Sequence, residues 1–322
     1  MKLAKKKVLI TGGAGFIGSH LTDRLLEMGN EVIVYDNFDD YYAGKRANLE
    51  KAARSTHFKL VESDILDYKR LLASMNDVDV AFHLAAQPGV RFSAKNPWKT
   101  NRVNVEGTLN VLLSAKENNI EKFIFASSSS VYGVSQYLPW DEEHPTSPIS
   151  IYGASKLAAE KYCETFHKSY RLPIVVLRYH TVYGPRQRPD MAIRLFAEAL
   201  SEDRSPVIYG DGKQTRDFTY VSDAVDGTIR AAESEKSMGE IFNLGSGTRV
   251  TVERVIEIMK KTMEKNSILQ IYQEPKLGDV PNTYASIQKA KSILDYTPRT
   301  NIQEGLKSFV TWFRLNKAER DS

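Results

Sequence analysis

The amino-acid sequence predicts an α/β protein built on a doubly wound parallel sheet, with a smaller mixed domain at its C-terminal end. In the first half of the chain, short apolar runs typical of buried strands alternate with segments of helical periodicity. A glycine-rich turn joins the first strand to the first helix. Later turns, strands and helices mix without a flexible linker. We therefore expect two tightly packed domains, 1–180 and 181–322, with residues of about 220–245 returning to the first.

The individual elements follow from periodicity, taken in chain order. A buried strand at 7–10 leads into a helix that starts at Phe16 and that Gly29 ends, and a second strand follows at 31–36. We expect further strands at 58–61, 78–84, 123–127, 174–178 and 241–244. We expect further helices at 68–75, 100–118, 155–170, 191–200, 252–264 and 302–316, with a loop at 182–190.

Composition limits the classes of function. The 44 basic and 40 acidic residues leave a net charge of +4, so we expect no nucleic-acid partner. No apolar run approaches the roughly 20 residues of a membrane span, and no secretory leader precedes the first strand, so a cytoplasmic location is expected. The single cysteine, Cys163, excludes an intrachain disulfide and is expected to be a small buried side chain. No metal site is predicted.

The glycine-rich turn has the spacing of a dinucleotide site. Gly13, Gly15 and Gly18 match GxGxxG, and Gly12 gives a second match in GxxGxxG. Without Cβ atoms the backbone can approach a pyrophosphate, which the N-terminus of the next helix attracts. Asp36 ends the second strand, where its carboxylate can accept from a ribose hydroxyl and would repel a 2′-phosphate. This pattern predicts NAD rather than NADP, against the alternative of a purely structural turn.

A second group of residues has the chemistry of a general base. Tyr152 and Lys156 are four residues apart, so on a helix they share a face. A buried cation beside a phenol would lower the phenol's pKa from about 10 and make Tyr152 a usable base. Four serines, 127–130, follow the strand at 123–127 and could bond a substrate hydroxyl. The structural alternatives are a plain helix face and a polar turn.

Five segments appear in a fixed order along the chain. They are TGGAGFIG (11–18), HLAAQ (83–87), SSSSVYG (127–133), YGASK (152–156) and RDFTYVSD (216–223). These segments resemble motifs of the extended short-chain dehydrogenase/reductase family, and most closely those of its nucleotide-sugar 4-epimerases. The resemblance covers essentially the whole chain. The resemblance implies a Rossmann domain with tightly bound NAD, a C-terminal domain for a UDP-sugar, and a homodimer formed through the helices at 100–118 and 155–170.

The resemblance also implies roles for individual residues. Tyr152 would be the base and Lys156 would hold the nicotinamide ribose, while one or more of Ser128, Ser129 and Ser130 would assist at the sugar 4-hydroxyl. The implied cofactor contacts are Gly12, Gly15, Phe16, Ile17, Gly18, Asp36, Asn37, Asp64, Ile65, Leu84, Ala85, Ala86, Asn104, Tyr152, Lys156 and Tyr179. In the implied reaction the 4-hydroxyl loses its proton to Tyr152 and C4 gives a hydride to NAD. The 4-keto sugar then turns over and takes the hydride back on its other face.

The loop at 181–191 indicates which sugar the substrate carries. Its sequence, TVYGPRQRPDM, resembles the UDP-glucuronate 4-epimerases. The guanidinium groups of Arg91, Arg186 and Arg188 suit a carboxylate or a diphosphate, and Thr181 could donate to the same carboxylate. The predicted substrates are therefore UDP-glucuronate and UDP-galacturonate.

Two more segments are expected to bind the nucleotide part of the substrate, and a third bears on which reaction is catalysed. Arg216 is expected to meet the diphosphate. The segment 274–280, which contains Asp279, resembles the nucleotide-binding segment of the family, with Lys276 where relatives often have arginine. Dehydrating relatives carry an acidic pair after the hydroxyl residue, and the stretch 128–131 has none. A 4-epimerase for UDP-glucose or UDP-N-acetylglucosamine, a UDP-glucuronate decarboxylase and a nucleotide-sensing binding protein remain open.

Overall fold

A seven-stranded parallel sheet forms the centre of the protein. The computed structural model describes residues 1–275 and 280–321, with side chains to residue 317. The strands are β1 (Lys7–Thr11), β2 (Glu31–Asp36), β3 (Phe58–Glu62), β4 (Val80–His83), β5 (Lys122–Ser128), β6 (Ile174–Tyr179), β7 (Val182–Tyr183), β8 (Val207–Tyr209), β9 (Thr215–Arg216), β10 (Thr219–Tyr220), β11 (Ile241–Leu244), β12 (Val250–Thr251) and β13 (Ile271–Gln273). The sheet order is β3-β2-β1-β4-β5-β6-β11, so its direction of growth reverses between β1 and β4. This arrangement confirms the predicted doubly wound α/β class.

Helices cover both faces of the sheet. They are α1 (Phe16–Glu27), α2 (Tyr68–Ser74), α3 (Val90–Lys95), α4 (Pro97–Asn101), α5 (Gly107–Glu117), α6 (Ile151–Tyr170), α7 (Ala192–Ser201), α8 (Val221–Glu233), α9 (Val252–Met263), α10 (Gln288–Leu294) and α11 (Ile302–Asp321). Apolar side chains of α1 and α8 fill the core on one face, and those of α5 and α6 fill it on the other. All six residues of β6 are buried, because both faces of this parallel strand are covered, and its first four residues form a continuous apolar run. Cys163 of α6 is fully buried.

The chain crosses between the sheet and a smaller core. Helices α7, α9 and α11 pack around Tyr183, Phe196 and Phe309 in that second core. Between them, α8 returns to pack on α1, and β11 adds to the sheet edge with Phe242 opposite Leu177. The sheet and the smaller core are therefore joined by covalent crossings and by packing. The expected boundary at residue 180 and the homodimer stay predictions.

The helix predicted at 100–118 is interrupted. The structure has α4, a π-helical turn at Arg102–Glu106, and then α5. The wider turn carries Asn104 inward, where its amide bonds to backbone and side-chain groups. Such turns inside helices often occur at functional sites, and a simple helical period cannot signal them. Helix α6 also starts earlier than residue 155, because Ser150 caps it by accepting from the Gly153 N–H at 3.0 Å.

Within the described part of the chain, no helix combines the length and apolar character needed to cross a bilayer. No group of three or more His, Cys, Asp or Glu side chains in the same part is arranged to hold a metal ion. The cytoplasmic location stays a prediction.

Candidate active site

The carboxyl ends of the central strands open on a cavity of about 370 Å³. It lies where the sheet reverses direction, which is where parallel α/β sheets bind their ligands. Most of the predicted site residues line it: Gly12, Gly15, Phe16, Ile17, Gly18, Asp36, Asn37, Asp64, Ile65, Leu84, Ala85, Ala86, Ser128, Ser129, Ser130, Tyr152, Lys156, Tyr179, Thr181 and Arg188. The fold therefore brings both predicted groups of residues to one site.

The glycine turn leaves no room for side chains. Gly12 has φ +70°, and a Cβ on it would lie 2.6 Å from the backbone nitrogen of Ala85. A Cβ on Gly18 would collide with the carbonyl oxygen of Gly12. Gly15 caps α1 without a side-chain hydrogen bond, so the N-terminus of that helix has backbone donors to offer a ligand. This cradle fits the pyrophosphate of a dinucleotide.

Asp36 lies at the end of β2 with its side chain already held. It is 8% exposed, and its two carboxylate oxygens accept from the backbone N–H groups of Ala14 at 3.0 Å and Phe38 at 2.9 Å. Burial raises the pKa of Asp36, and these two hydrogen bonds oppose the rise. Each oxygen keeps a second acceptor position, so the carboxylate can still bind a ribose hydroxyl. Together with the glycine cradle, this residue fits NAD.

Replacing Asp36 with asparagine should weaken NAD binding and reduce the discrimination against NADP. A hydrogen bond to a charged group contributes about 1.5–3 kcal/mol, which corresponds to an increase of about 10- to 100-fold in the Kd of NAD. Titration of the apoprotein with both cofactors would measure this. Glu62→Gln is the matched control, because Glu62 faces Asp36 in the sheet register but does not line the cavity. Unchanged selectivity in Asp36→Asn would contradict the assignment.

Helix α6 presents Tyr152 in its first turn and Lys156 in its second. Lys156 is 3% exposed, its Nζ lies 4.8 Å from the centroid of the Phe125 ring, and burial lowers its pKa to about 8. Burial raises the pKa of Tyr152, and the Arg188 charge and a Ser128 hydrogen bond oppose that rise. The lowered phenol pKa expected from the sequence is therefore not found, because desolvation of the phenolate outweighs the Arg188 charge and the Ser128 contact.

The four serines after β5 have divided roles. Ser127 donates to the buried carboxylate of Glu160, behind the site. Ser128 starts a short 3₁₀ turn, where its hydroxyl accepts from the Ser130 N–H at 3.2 Å. Ser128 also acts on Tyr152, whose pKa it lowers. All four serines contribute to the cavity lining, but the Ser127 hydroxyl is already bonded to Glu160.

Four of the predicted residues lie outside the cavity lining. Asn104 is buried behind it, where its amide accepts from the Gln87 N–H at 2.7 Å and donates to Ser155 at 2.9 Å. Arg186 points to α1 and pairs with Asp23 at 2.9 Å.

The other two arginines, Arg91 and Arg216, are also absent from the cavity lining. The guanidinium carbon of Arg91, in α3, lies 5.2 Å from the centroid of the Tyr209 ring. Arg216 donates to the carbonyl oxygens of Thr215 and Pro281. Long arginine side chains follow their nearest acceptor or ring, which spacing along the chain does not reveal. Lys276 and Asp279 lie outside the described residues.

Sequence reasoning missed one wall of the cavity. The loop after β2 contributes residues whose pattern has no strand or helix period, namely Asp39, Tyr41, Tyr42 and Lys45. Two adjacent tyrosines that follow an acid-ended strand by a few residues are the signal that could have pointed to this wall. Gln87 and His180 also line the cavity.

The sequence matches the model of the GDP-mannose 4,6-dehydratase family over residues 9–309. The chain belongs to this family. Family membership confirms the resemblance to extended short-chain dehydrogenases seen in the motifs. A similar relative is the UDP-glucuronate 4-epimerase of Thermodesulfobacterium geofontis, 39% identical over 315 residues that cover 96% of each chain.

Two solved structures of family members are also similar. One is the UDP-glucuronic acid 4-epimerase of Bacillus cereus in complex with UDP-glucuronic acid and NAD, 37% identical, with a TM-score of 0.91 over 96% of this chain and 99% of that one. The other is a UDP-N-acetylglucosamine 4-epimerase of Methanobrevibacter ruminantium in complex with UDP-N-acetylmuramic acid, 36% identical, with a TM-score of 0.91 over 98% and 100%. Within the family, the chain is an NAD-dependent UDP-sugar 4-epimerase, and hence an isomerase.

Proposed function

We propose that this epimerase interconverts UDP-glucuronate and UDP-galacturonate. The observation that carries the proposal is the position of Arg188, which lines the same cavity as Tyr152 and acts on the pKa of that phenol through its charge. In a hexuronate the carboxylate is attached to C5, next to the C4 that bears the reacting hydroxyl. A cation close to the base therefore suits an acidic sugar.

The reacting groups come from three elements. Tyr152 would take the proton of the 4-hydroxyl, with Ser128 beside it in the cavity lining. The glycine turn, Asp36 and Lys156 would hold NAD, which supplies hydride-transfer chemistry at C4 when it is bound. Lys156 is 3% exposed and Tyr152 is half-buried, so the reacting carbon would lie in a partly desolvated region of the cavity.

The carboxylate needs restraint as well as binding. A 4-keto hexuronate is a β-keto acid, which loses CO₂ when its C5–carboxylate bond stands perpendicular to the carbonyl plane. We propose that Thr181 and Arg188, which lie on the cavity wall, hold the carboxylate away from that alignment. Epimerisation then competes successfully with decarboxylation.

Incubation of the protein with UDP-glucuronate and analysis of the products by NMR tests this function. We expect UDP-galacturonate from the wild type, and from Arg188→Ala a KM raised about tenfold or more, together with UDP-pentose. The control is Arg204→Ala, since Arg204 also pairs with a nearby acid, Glu202, but is exposed on a surface turn. UDP-xylose from the wild type would identify a decarboxylase, and a higher kcat/KM for UDP-glucose or UDP-N-acetylglucosamine would identify a neutral-sugar epimerase. No reaction, with release of intact NAD, would indicate a binding protein.

A further inference from the structure

Asp190 holds the guanidinium of Arg188 from one side. Arg188 Nε donates to Asp190 Oδ1 at 2.9 Å, and Nη2 donates to Oδ2 at 3.1 Å. Arg188 lines the cavity and Asp190 does not. This paired contact uses the Nε edge of the guanidinium, whose five N–H groups form a rigid fork. Nη1 has no hydrogen-bond partner among the described residues, so the edge formed by Nη1 and Nη2 is left for a ligand.

Tyr41 holds Asp190 in turn. Its hydroxyl donates to Asp190 Oδ2 at 3.0 Å, although the two residues are 149 positions apart in the sequence. The Tyr41 ring packs edge-on against Phe92, with 4.9 Å between ring centroids. The hydroxyl also lies close to the backbone of Gly89. A Cβ atom added to Gly89 would be only 2.6 Å from the Tyr41 hydroxyl oxygen. Ring and hydroxyl are therefore both fixed by their surroundings.

The loop that carries Tyr41 is itself anchored. Asp39 forms an ion pair with Lys99 of α4 at 2.7 Å, and it accepts from the Tyr41 N–H at 3.0 Å. The loop follows β2 and lines the cavity beside Asp36. A contact between Tyr41 and Asp190 therefore joins the wall of the dinucleotide site to the loop that bears Arg188.

The ionisation states suit this chain of contacts. Burial, and then the Asp190 charge, raise the pKa of Tyr41 to about 12, so its hydroxyl remains a donor at neutral pH. Burial alone would raise the pKa of Asp190, but the hydrogen bonds and charge of Arg188 lower it overall. A phenol and a guanidinium thus donate to one carboxylate, and both acceptor oxygens are used.

We propose that Asp190 and Tyr41 are positioning residues that determine specificity for an acidic sugar, by fixing Arg188 so that its free edge meets the substrate carboxylate. This inference rests on the proposed function. An unrestrained arginine would have to lose its side-chain freedom when the sugar binds, and prior fixation removes that cost from binding. A neutral sugar gains nothing from it, because it has no carboxylate to meet the free edge.

The test compares KM and kcat for UDP-glucuronate and UDP-glucose in Asp190→Asn and Tyr41→Phe. Asparagine keeps the shape of Asp190 but loses a charge and an acceptor, while phenylalanine keeps the Tyr41 ring and loses only its hydroxyl. We expect KM for UDP-glucuronate to rise about tenfold in Asp190→Asn and about threefold in Tyr41→Phe, with kcat changed less than about twofold. KM for UDP-glucose, or its Kd by calorimetry on the NAD-loaded protein, should stay unchanged. Tyr68→Phe is the matched control, since Tyr68 donates to the carboxylate of Glu117 at 2.9 Å away from the cavity.

The outcomes separate this inference from the proposed function. If Arg188→Ala leaves the preference for UDP-glucuronate unchanged, the proposed function itself fails. If Arg188→Ala removes the preference but Asp190→Asn and Tyr41→Phe keep it, only the positioning inference is overturned. An equal rise of KM for both sugars would indicate general loosening, and tighter binding of UDP-glucuronate to Asp190→Asn would identify Asp190 as a competitor. Both results would overturn the inference. In the Arg188→Ala background, Asp190→Asn should add no further loss.

Discussion

Replacement of Tyr152 by phenylalanine should reduce turnover of the UDP-sugar by about 10²–10⁴-fold, the usual contribution of a positioned acid–base group. The substitution removes one hydroxyl and leaves the ring in the first turn of α6. Serine hydroxyls lie beside that position, but their alkoxides are too basic to replace a phenolate. The fold and the bound NAD should be retained, because the glycine cradle and Asp36 are untouched.

Turnover should be followed by NMR with NAD-loaded protein, across a range of pH. The wild-type rate requires an ionised Tyr152 phenol, and burial raises the pKa of this group. The pH profile of the residual rate of Tyr152→Phe should therefore lack the step caused by this ionisation. Tyr162→Phe is the control on the same helix, since Tyr162 is 38% exposed and does not line the cavity. A Tyr152→Phe enzyme within about threefold of the wild type would exclude Tyr152 as the base.

Replacement of Glu160 by glutamine should destabilise the protein by about 3–5 kcal/mol, because it leaves a buried guanidinium without its counter-ion. Glu160 and Arg178 are 3% and 4% exposed. Arg178 Nε donates to Glu160 Oε1 at 3.0 Å and Nη2 to Oε2 at 2.8 Å, and Ser127 donates to the same carboxylate. Burial alone would lower the pKa of Arg178, but Glu160 raises it overall. The contact ties α6, one turn after Lys156, to β5 and β6.

Urea-induced unfolding would measure this loss. Glu164→Gln is the control four residues further along α6, where the exposed carboxylate pairs with Lys161 and Lys168 and should contribute less than about 1 kcal/mol. If the two variants lost equal stability, the buried pair would not be a principal tie between the helix and the sheet. If Glu160→Gln kept its stability but lost activity, the role of Glu160 would be to orient α6 at the site.

Local signals explain why so much of the fold could be predicted. Apolar runs of strand length, helical periods and the glycine turn act within a few residues, and the sheet forms from just those segments. Asp36 and the spacing of Tyr152 and Lys156 are also local, since the end of a strand or the pitch of a helix sets where each side chain goes. The placement of these residues in one cavity then follows from parallel strands ending at one edge.

The protein's own sequence thus determined the sheet, the cofactor turn and the pair on α6, because short-range backbone geometry places them. Tertiary structure alone decided which arginine lines the cavity. Arg186 and Arg188 are two residues apart. Arg186 adopts φ +63° and pairs with Asp23 of α1, whereas Arg188 lines the cavity and pairs with Asp190, which also accepts from Tyr41. Long charged side chains go to partners that are distant in sequence, and only the packed fold brings those partners near.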